Sequence, residues 1–399
     1  LTALHPDGSL KLSQAGVPIP TYTNTDITEL ARVFTGWSFS KRHGSAPGYV
    51  IQDNTNFFQS AGNRYFQASW LNPMKNFPTY HDTGAKVVLG SAIPAGLDGE
   101  ADLDAALDIL FAHPNVGPFI SRLLIQRLVT SNPSPDYIYR VAQKFADDGT
   151  GVRGNIGAMV RTILLDPEAR NLSIANSVSY GKQKEPMVRY VQILRAFAAA
   201  SSLPLSDLSA VGYPAEQLNN FPAGATRMRY QVTDTNLGQT AQGAPTVFNW
   251  FSPDYSPGGA IAAAGLVAPE MEITNETLVA QAINYNYTVL NTTNGQSTST
   301  LFGSATTLDD VRISRVPWEA YYQSEITAGK TVTEAVTSVV DRLDLLLMSG
   351  RFKLKYAGAP LPNPRSSTIA AAVSATTTSD RIINIMYLLC NSPEFLHQK

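Results

Sequence analysis

The sequence predicts a mainly α-helical protein: a multi-helix bundle with a small N-terminal β-hairpin and long irregular loops rich in aromatic residues. Three observations point there. After Glu100, stretch after stretch places apolar residues at i, i+3, i+4 and i+7, the spacing that lines one face of a helix. These stretches begin and end on helix start and stop residues, and the short connectors between them favour antiparallel neighbours. Turn clusters and extended patterns concentrate before Tyr22 and in residues 38–98.

Residues 1–22 read as strand, turn, strand, with Pro6-Asp7-Gly8 turning the chain between LTAL and SLKL and an extended GVPIPTY after them. A helix follows. Asn24 or Thr25 is its expected N-cap, Asp26 and Glu29 sit in its first turn, and Ile27, Leu30, Ala31 and Phe34 share one face until Thr35-Gly36. Residues 38–98 mix Gly, Pro, Asn and aromatics without a sustained period, so loops are expected, with short strands near 49–51 and 87–89.

The helical core starts next. Glu100, Asp102 and Asp104 are placed where a helix N-terminus favours negative charge, ahead of Leu103, Ala106, Leu107, Leu110 and Phe111, and Pro114 ends that helix. Further amphipathic helices are expected near 115–130, 135–147, 154–165, 186–200, 269–286, 333–348 and 379–391. Asp166-Pro167-Glu168 and Ser392-Pro393-Glu394 repeat one punctuation, a capping side chain followed by proline at the first helical position. Residues 203–267 and the Ser/Thr/Asn tract 291–307 read as long surface excursions. The whole is read as one α-helical domain, residues 1–399. Within it fall a hairpin arm (1–23), a helix plus irregular segment (24–98), a helical core (99–200), long loops with one helix (201–330) and closing helices (331–399).

Charged residues make up 16% of the chain and the net charge is −2. That is below the roughly 25% of an average soluble domain, and polar but weakly charged surfaces are common in secreted proteins. Lys and Arg are scattered singly, so no basic stripe exists to neutralise a phosphate backbone and nucleic acid is not an expected partner. The longest apolar stretch, about a dozen residues near 258–269, falls short of the roughly 20 a spanning helix needs. Cys390 is the one cysteine, which leaves no disulfide framework and no haem-attachment motif. No cofactor is expected.

Several motifs compete with plain structural readings. Gly149-Thr150-Gly151-Val152-Arg153-Gly154 spells GxGxxG, but a helix and not a strand precedes it, so a glycine-assisted connector is the better reading. Asp147 and Asp148 beside it lack the ligand spacing of a calcium loop. SxxK at Ser38–Lys41 and Ser179–Lys182 matches a two-residue constraint that chance supplies. No HExxH occurs, and the histidines show no i, i+4 pair, so no metal site is expected. His113 is read as capping the helix before it. Arg122, Arg127, Arg153, Arg161, Lys184, Glu185, Arg189 and Arg195 are read as partly buried ion pairs.

Two loops carry chemistry. His81 and Asp82, in TYHDTG with Lys86 nearby, are the candidate catalytic residues, since an imidazole beside a carboxylate can act as base and orienter. The competing reading is a histidine that fastens its loop. Phe248, Asn249, Trp250, Asp254 and Tyr255 are the candidate ligand-binding residues, because aromatic faces stack on sugar rings and Asn and Asp bind hydroxyls. Here too the competing reading is structural, an aromatic cluster pinning a loop. The enzymatic reading requires both loops to line one concave surface.

HDTGAKVVLG (His81–Gly90), the run Glu100–Phe145, YTNTDITELARVFTGWSF (Tyr22–Phe39), GVRGNIGAMVRTILLDPEAR (Gly151–Arg170), SYGKQKEPMVRYVQILRAF (Ser179–Phe197), GAPTVFNWFSPDYSPGG (Gly243–Gly259) and LLCNSPEF (Leu388–Phe395) occur in an order that resembles the bacterial domain of unknown function 1800 family. The resemblance implies an envelope or extracellular protein and the C-terminal portion of a longer precursor, whose N-terminal portion would be a partner. It also implies a sulfatase-like protein encoded nearby, and it carries over no catalytic residue. Two functions follow as expectations: a non-enzymatic extracellular scaffold or assembly component, or a secreted polysaccharide hydrolase or lyase using His81 and Asp82.

Overall fold

A computed structural model describes residues 1–43, 51–55, 57, 72–197, 237–240, 243–246, 249–291 and 313–399. Phe248, the stretch 203–236 and residues 292–307 of the Ser/Thr/Asn tract lie outside them. The chain is mainly helical with a few short antiparallel strand pairs, and it divides into two compact units. The first is Leu1–Ile125 with Pro133–Glu168, the second Gln126–Asn132 with Ala169–Lys399.

In the first unit the expected hairpin is a looser arm. Isolated bridges join Thr2 to Pro20, Leu4 to Leu10 and Leu12 to Pro18. Pro18 and Pro20 have no N–H to donate, so the ladder cannot propagate into regular strands. Helix α1 (Asn24–Val33) starts one residue earlier than expected: Thr23 is the N-cap and shares a capping box with Asp26. The other Asp26 oxygen accepts the Leu89 N–H at 2.8 Å. Strand β1 (Trp37–Phe39) pairs with β4 (Met74–Asn76), β2 (Lys41–His43) with β3 (Ile51–Asp53), and β5 (Lys86–Val88) with β6 (Ser91–Ile93), all antiparallel. Leu89 and Gly90, both at positive φ, make the tight turn between β5 and β6. Val33, Val88, Ile93 and Ala106 form the small core there.

Helices α2 (Gly99–Ala112), α3 (Val116–Leu128), α4 (Pro135–Ala146) and α5 (Ile156–Leu165) occur close to their expected positions. Buried Tyr137, Val141 and Phe145 of α4 and Met159 and Ile163 of α5 are the period-3.6 faces of a packed helix pair. Asp166 holds Arg140 through two charge-assisted bonds of 2.7 and 2.9 Å and caps the one-turn helix Pro167–Arg170 through the Glu168 N–H. His113 behaves differently from its expected role. Its Nδ1 accepts the Asn115 N–H at 3.2 Å, at the start of α3, while Arg153 donates to the Phe111 and His113 carbonyls at the end of α2.

The second unit contains α6 (Pro186–Ala196), α7 (Glu276–Leu290), α8 (Val316–Thr327), α9 (Val332–Met348), α10 (Pro364–Ser374) and α11 (Thr378–Cys390). Its large core is centred on α9 and α11, whose Ala335, Val336, Val339, Leu343, Ile382, Ile385 and Leu389 are fully buried. Asp344 is buried among them. Its carboxylate accepts the Phe352 and Lys353 N–H groups at 3.0 and 2.8 Å, capping the short helix Arg351–Tyr356. Helices α8 and α10 were not foreseen: VPWEAYYQSEIT has no clear apolar stripe and PRSSTIAAAVS offers mostly small side chains.

Candidate functional site

His81 follows the 3₁₀ turn Pro78–Tyr80, so its loop is held between the C-terminal end of α1 and the first turn of α2. The neighbouring side chains separate. His81 Nδ1 lies 3.1 Å from the Thr35 carbonyl oxygen, an acceptor only, so this nitrogen is the donor. His81 Nε2 lies 3.1 Å from Asp102 Oδ2, close enough for an ion pair but out of line for a hydrogen bond. The His81 and Asp102 side chains are each 1% exposed.

Lys86 shares that buried space. Its Nζ donates to Asp102 Oδ2 and to the carbonyls of Asp82 and Gly84, which uses its donors. The Asp82 carboxylate turns to α1, where Arg32 Nε and Nη2 hold it at 2.8 and 3.1 Å. The Gly84 N–H adds a third bond at 2.8 Å, and the Thr35 hydroxyl accepts the Asp82 N–H at 2.8 Å. Arg32, and after it the Gly84 N–H, hold the Asp82 carboxyl well below the usual carboxylate range. Two glycines make room. A Cβ on Gly84 would come within 2.6 Å of the Arg32 guanidinium, and one on Gly99 would overlap the Asn76 amide.

Asp102 is the residue sequence reasoning missed. Its place in the sequence suggests a helix-terminus charge, a role that Asp98 fills by capping the Ala101 N–H. A signal existed: Asp102 stands four residues before the fully buried Ala106, so it shares the inward face of α2. The result is a buried polar knot around one carboxylate, fastening β5, α1 and α2 to one loop. A general base has to reach the proton it takes, and the His81 ring is enclosed on both nitrogens.

The second candidate group belongs to the second unit. Asn249, at positive φ, closes a tight turn bridged to Thr246. Trp250 is partly buried, and its indole N–H is enclosed without a hydrogen-bond partner among the described residues. The deepest aromatic is Phe251, over whose ring Arg127 lies at 4.1 Å. Asp254 is exposed and Tyr255 partly buried, and the Tyr255 carbonyl accepts the Ala268 N–H at 2.8 Å. The Ser252 N–H donates to Glu272 and Gln126 Nε2 to the Pro253 carbonyl, so the loop is tied on both flanks.

The remaining motifs take structural roles. Asp147 accepts the Gly149 and Gly151 N–H groups, while Asp148 accepts from Thr150, Val152 and Asn155. The connector after α4 thus satisfies itself. Lys41 pairs with Asp53, and buried Lys182 with Glu270 at 2.8 Å. Of the arginine pairs expected, Arg127 lies 3.7 Å from Glu185, whereas no ion pair forms at Arg189 among the described residues. Cys390 is fully buried, and burial pushes its thiol up, away from the reactive thiolate. No cluster of three or more His, Cys, Asp or Glu suited to a metal ion occurs among the described residues. None of the described helices is long and apolar enough to cross a membrane.

Fold and site together define a mainly α-helical protein with a buried, loop-fastening polar knot. The chain belongs to the family described as protein of unknown function (DUF1800), whose profile matches residues 10–397. No curated protein and no solved structure matches it.

Proposed function

We propose that the chain is a non-enzymatic scaffold or assembly component acting in the bacterial envelope or outside the cell. The observation that carries this reading is the enclosure of His81. Its ring is enclosed, with Nδ1 bonded to Thr35 and Nε2 packed against Asp102, while Asp82 is spent on Arg32, so the best acid–base candidates are held as fasteners. The low charge density fits a secreted surface. A polypeptide partner, such as the N-terminal portion of a longer precursor or a sulfatase-like protein encoded nearby, fits a groove of about 350 Å³ in the first unit, with Ile27, Leu30, Val88, Leu110 and Phe119 in its lining.

The test is enzymological. Purified protein is incubated with a panel of neutral and acidic polysaccharides, and new reducing ends and unsaturated uronates are measured. The scaffold reading expects neither above buffer. Turnover by the wild-type chain that is lost in Asp82→Asn overturns it in favour of a polysaccharide hydrolase or lyase. Fractionation of the host checks the location, and a cytosolic pool alone would remove the envelope part of the proposal.

A further inference from the structure

Within the second unit a cavity of about 110 Å³ is lined by α7, by the start of α6 and by residues near the end of α11. Much of its lining is apolar, including Ile273, Leu278, Ala282 and Ile283. The polar lining groups mostly have partners: Gln183 Nε2 donates to the Thr274 hydroxyl at 2.7 Å, and Asn286 Nδ2 to Asn391 Oδ1 at 3.0 Å. Arg189 is the exception. Its side chain is partly buried, its Nε has neither accessible surface nor a hydrogen-bond partner, and no acid among the described residues pairs with it. Buried charge is costly unless paired. Lys182 follows that rule on Glu270 and Arg127 lies near Glu185, while Lys184 donates to the neutral Gln192.

The surroundings sharpen the imbalance. Lys184 feels Arg351 and Arg189 as like charges, and burial followed by Arg351 pulls it down to about 8. Burial alone pulls the Arg189 guanidinium down to about 10. A guanidinium fork in such surroundings matches a carboxylate through two parallel hydrogen bonds.

We propose that this cavity binds a small monocarboxylate with a short apolar body, its carboxylate paired with Arg189 and its body against Leu278, Ala282 and Ile283. The size sets the class, because a void of roughly 150 Å³ holds a benzene-sized guest. Nucleotides are too large, and sugars too polar, for these largely apolar walls. The carboxylate can belong to a free acid or to the C-terminus of a polypeptide. The site is independent of the scaffold reading, and neither result below bears on it.

Calorimetric titration of the whole chain with butyrate, N-acetylleucine, inorganic phosphate and chloride at matched ionic strength tests the proposal. Saturable binding of butyrate or N-acetylleucine is expected, weakened at least tenfold in Arg189→Met and in the cavity-filling Ala282→Leu. Stronger binding of N-acetylleucine identifies a chain terminus as the source, and stronger binding of butyrate a free acid. Arg189→Met should melt no lower than wild type, since it removes a charge that no acid among the described residues pairs with. The proposal is overturned if neither acid binds better than chloride, if phosphate binds as tightly, or if Arg189→Met melts several degrees lower, the mark of a protein partner. Should Arg189→Met fail to fold, unchanged binding in Ala282→Leu is sufficient to reject it.

Discussion

The imidazole of His81 faces the carboxylate of Asp102, 3.1 Å away across a buried interface between a loop and a helix, and turns from Asp82 beside it in the chain. Asp102 therefore meets two buried side chains, His81 and Lys86, at once. Removing it strands both. Asp102→Asn is expected to cost roughly 3–5 kcal/mol, as for other broken buried pairs. His81→Ala should cost less, about 1–3 kcal/mol, through the partners left unsatisfied. Urea unfolding gives both values, and an Asp102→Asn loss below that of His81→Ala would contradict the arrangement.

Asp82 sets an acid limit on the same loop. Its folded-state carboxyl titrates below the ordinary value near 3.9 because Arg32 and the Gly84 N–H favour the charged form. A depressed carboxyl contributes stability that is full above the unfolded value and lost as pH falls towards the folded one. The melting-temperature gap between wild type and Asp82→Asn should thus stay level from about pH 8 to about pH 5 and shrink below about pH 4. The Asp82 side chain is 38% exposed, so solvent screening keeps the gap modest.

Gly99 inverts a familiar rule. Gly to Ala within a helix ordinarily gains up to about 1 kcal/mol, but a Cβ here overlaps the Asn76 amide that donates to the Thr35 carbonyl. Gly99→Ala should therefore destabilise. In a double-mutant cycle with Asn76→Ala the two changes should couple by at least about 0.5 kcal/mol. Additive effects would show that the contact is absent.

In the second unit, Phe251→Leu keeps most of the buried volume and removes the ring beneath Arg127. A partly desolvated cation–π contact of this kind contributes roughly 0.5–2 kcal/mol. The variant should lose that much beyond its packing loss, and Arg127→Gln in the same background should then cost little more. A full additional loss from Arg127→Gln would locate its contribution in Glu185.

Much of the helical architecture is legible from local pattern. The faces of α4, α5, α9 and α11 follow the period of 3.6, and the two Asp/Ser-Pro-Glu signals each open a one-turn helix. Helices α8 and α10 escaped because their burial comes from neighbours rather than from a stripe of their own. The arm before Tyr22 has the turns of a hairpin but too few N–H donors for its ladder.

For the site, the sequence by itself determined which residues were chemically notable: His81, Asp82 and Lys86 in a glycine-bearing loop, and an aromatic cluster around Trp250. Only the tertiary structure decided what they do. The fold brought Asp102 to His81 and Lys86, sent Asp82 to Arg32, and left Arg189 without an acid among the described residues. The reason is physical. Helix periodicity and caps act over one or two turns and are written in neighbouring letters, whereas the state of a buried charge depends on partners that share its low-dielectric surroundings, from whatever part of the chain they come.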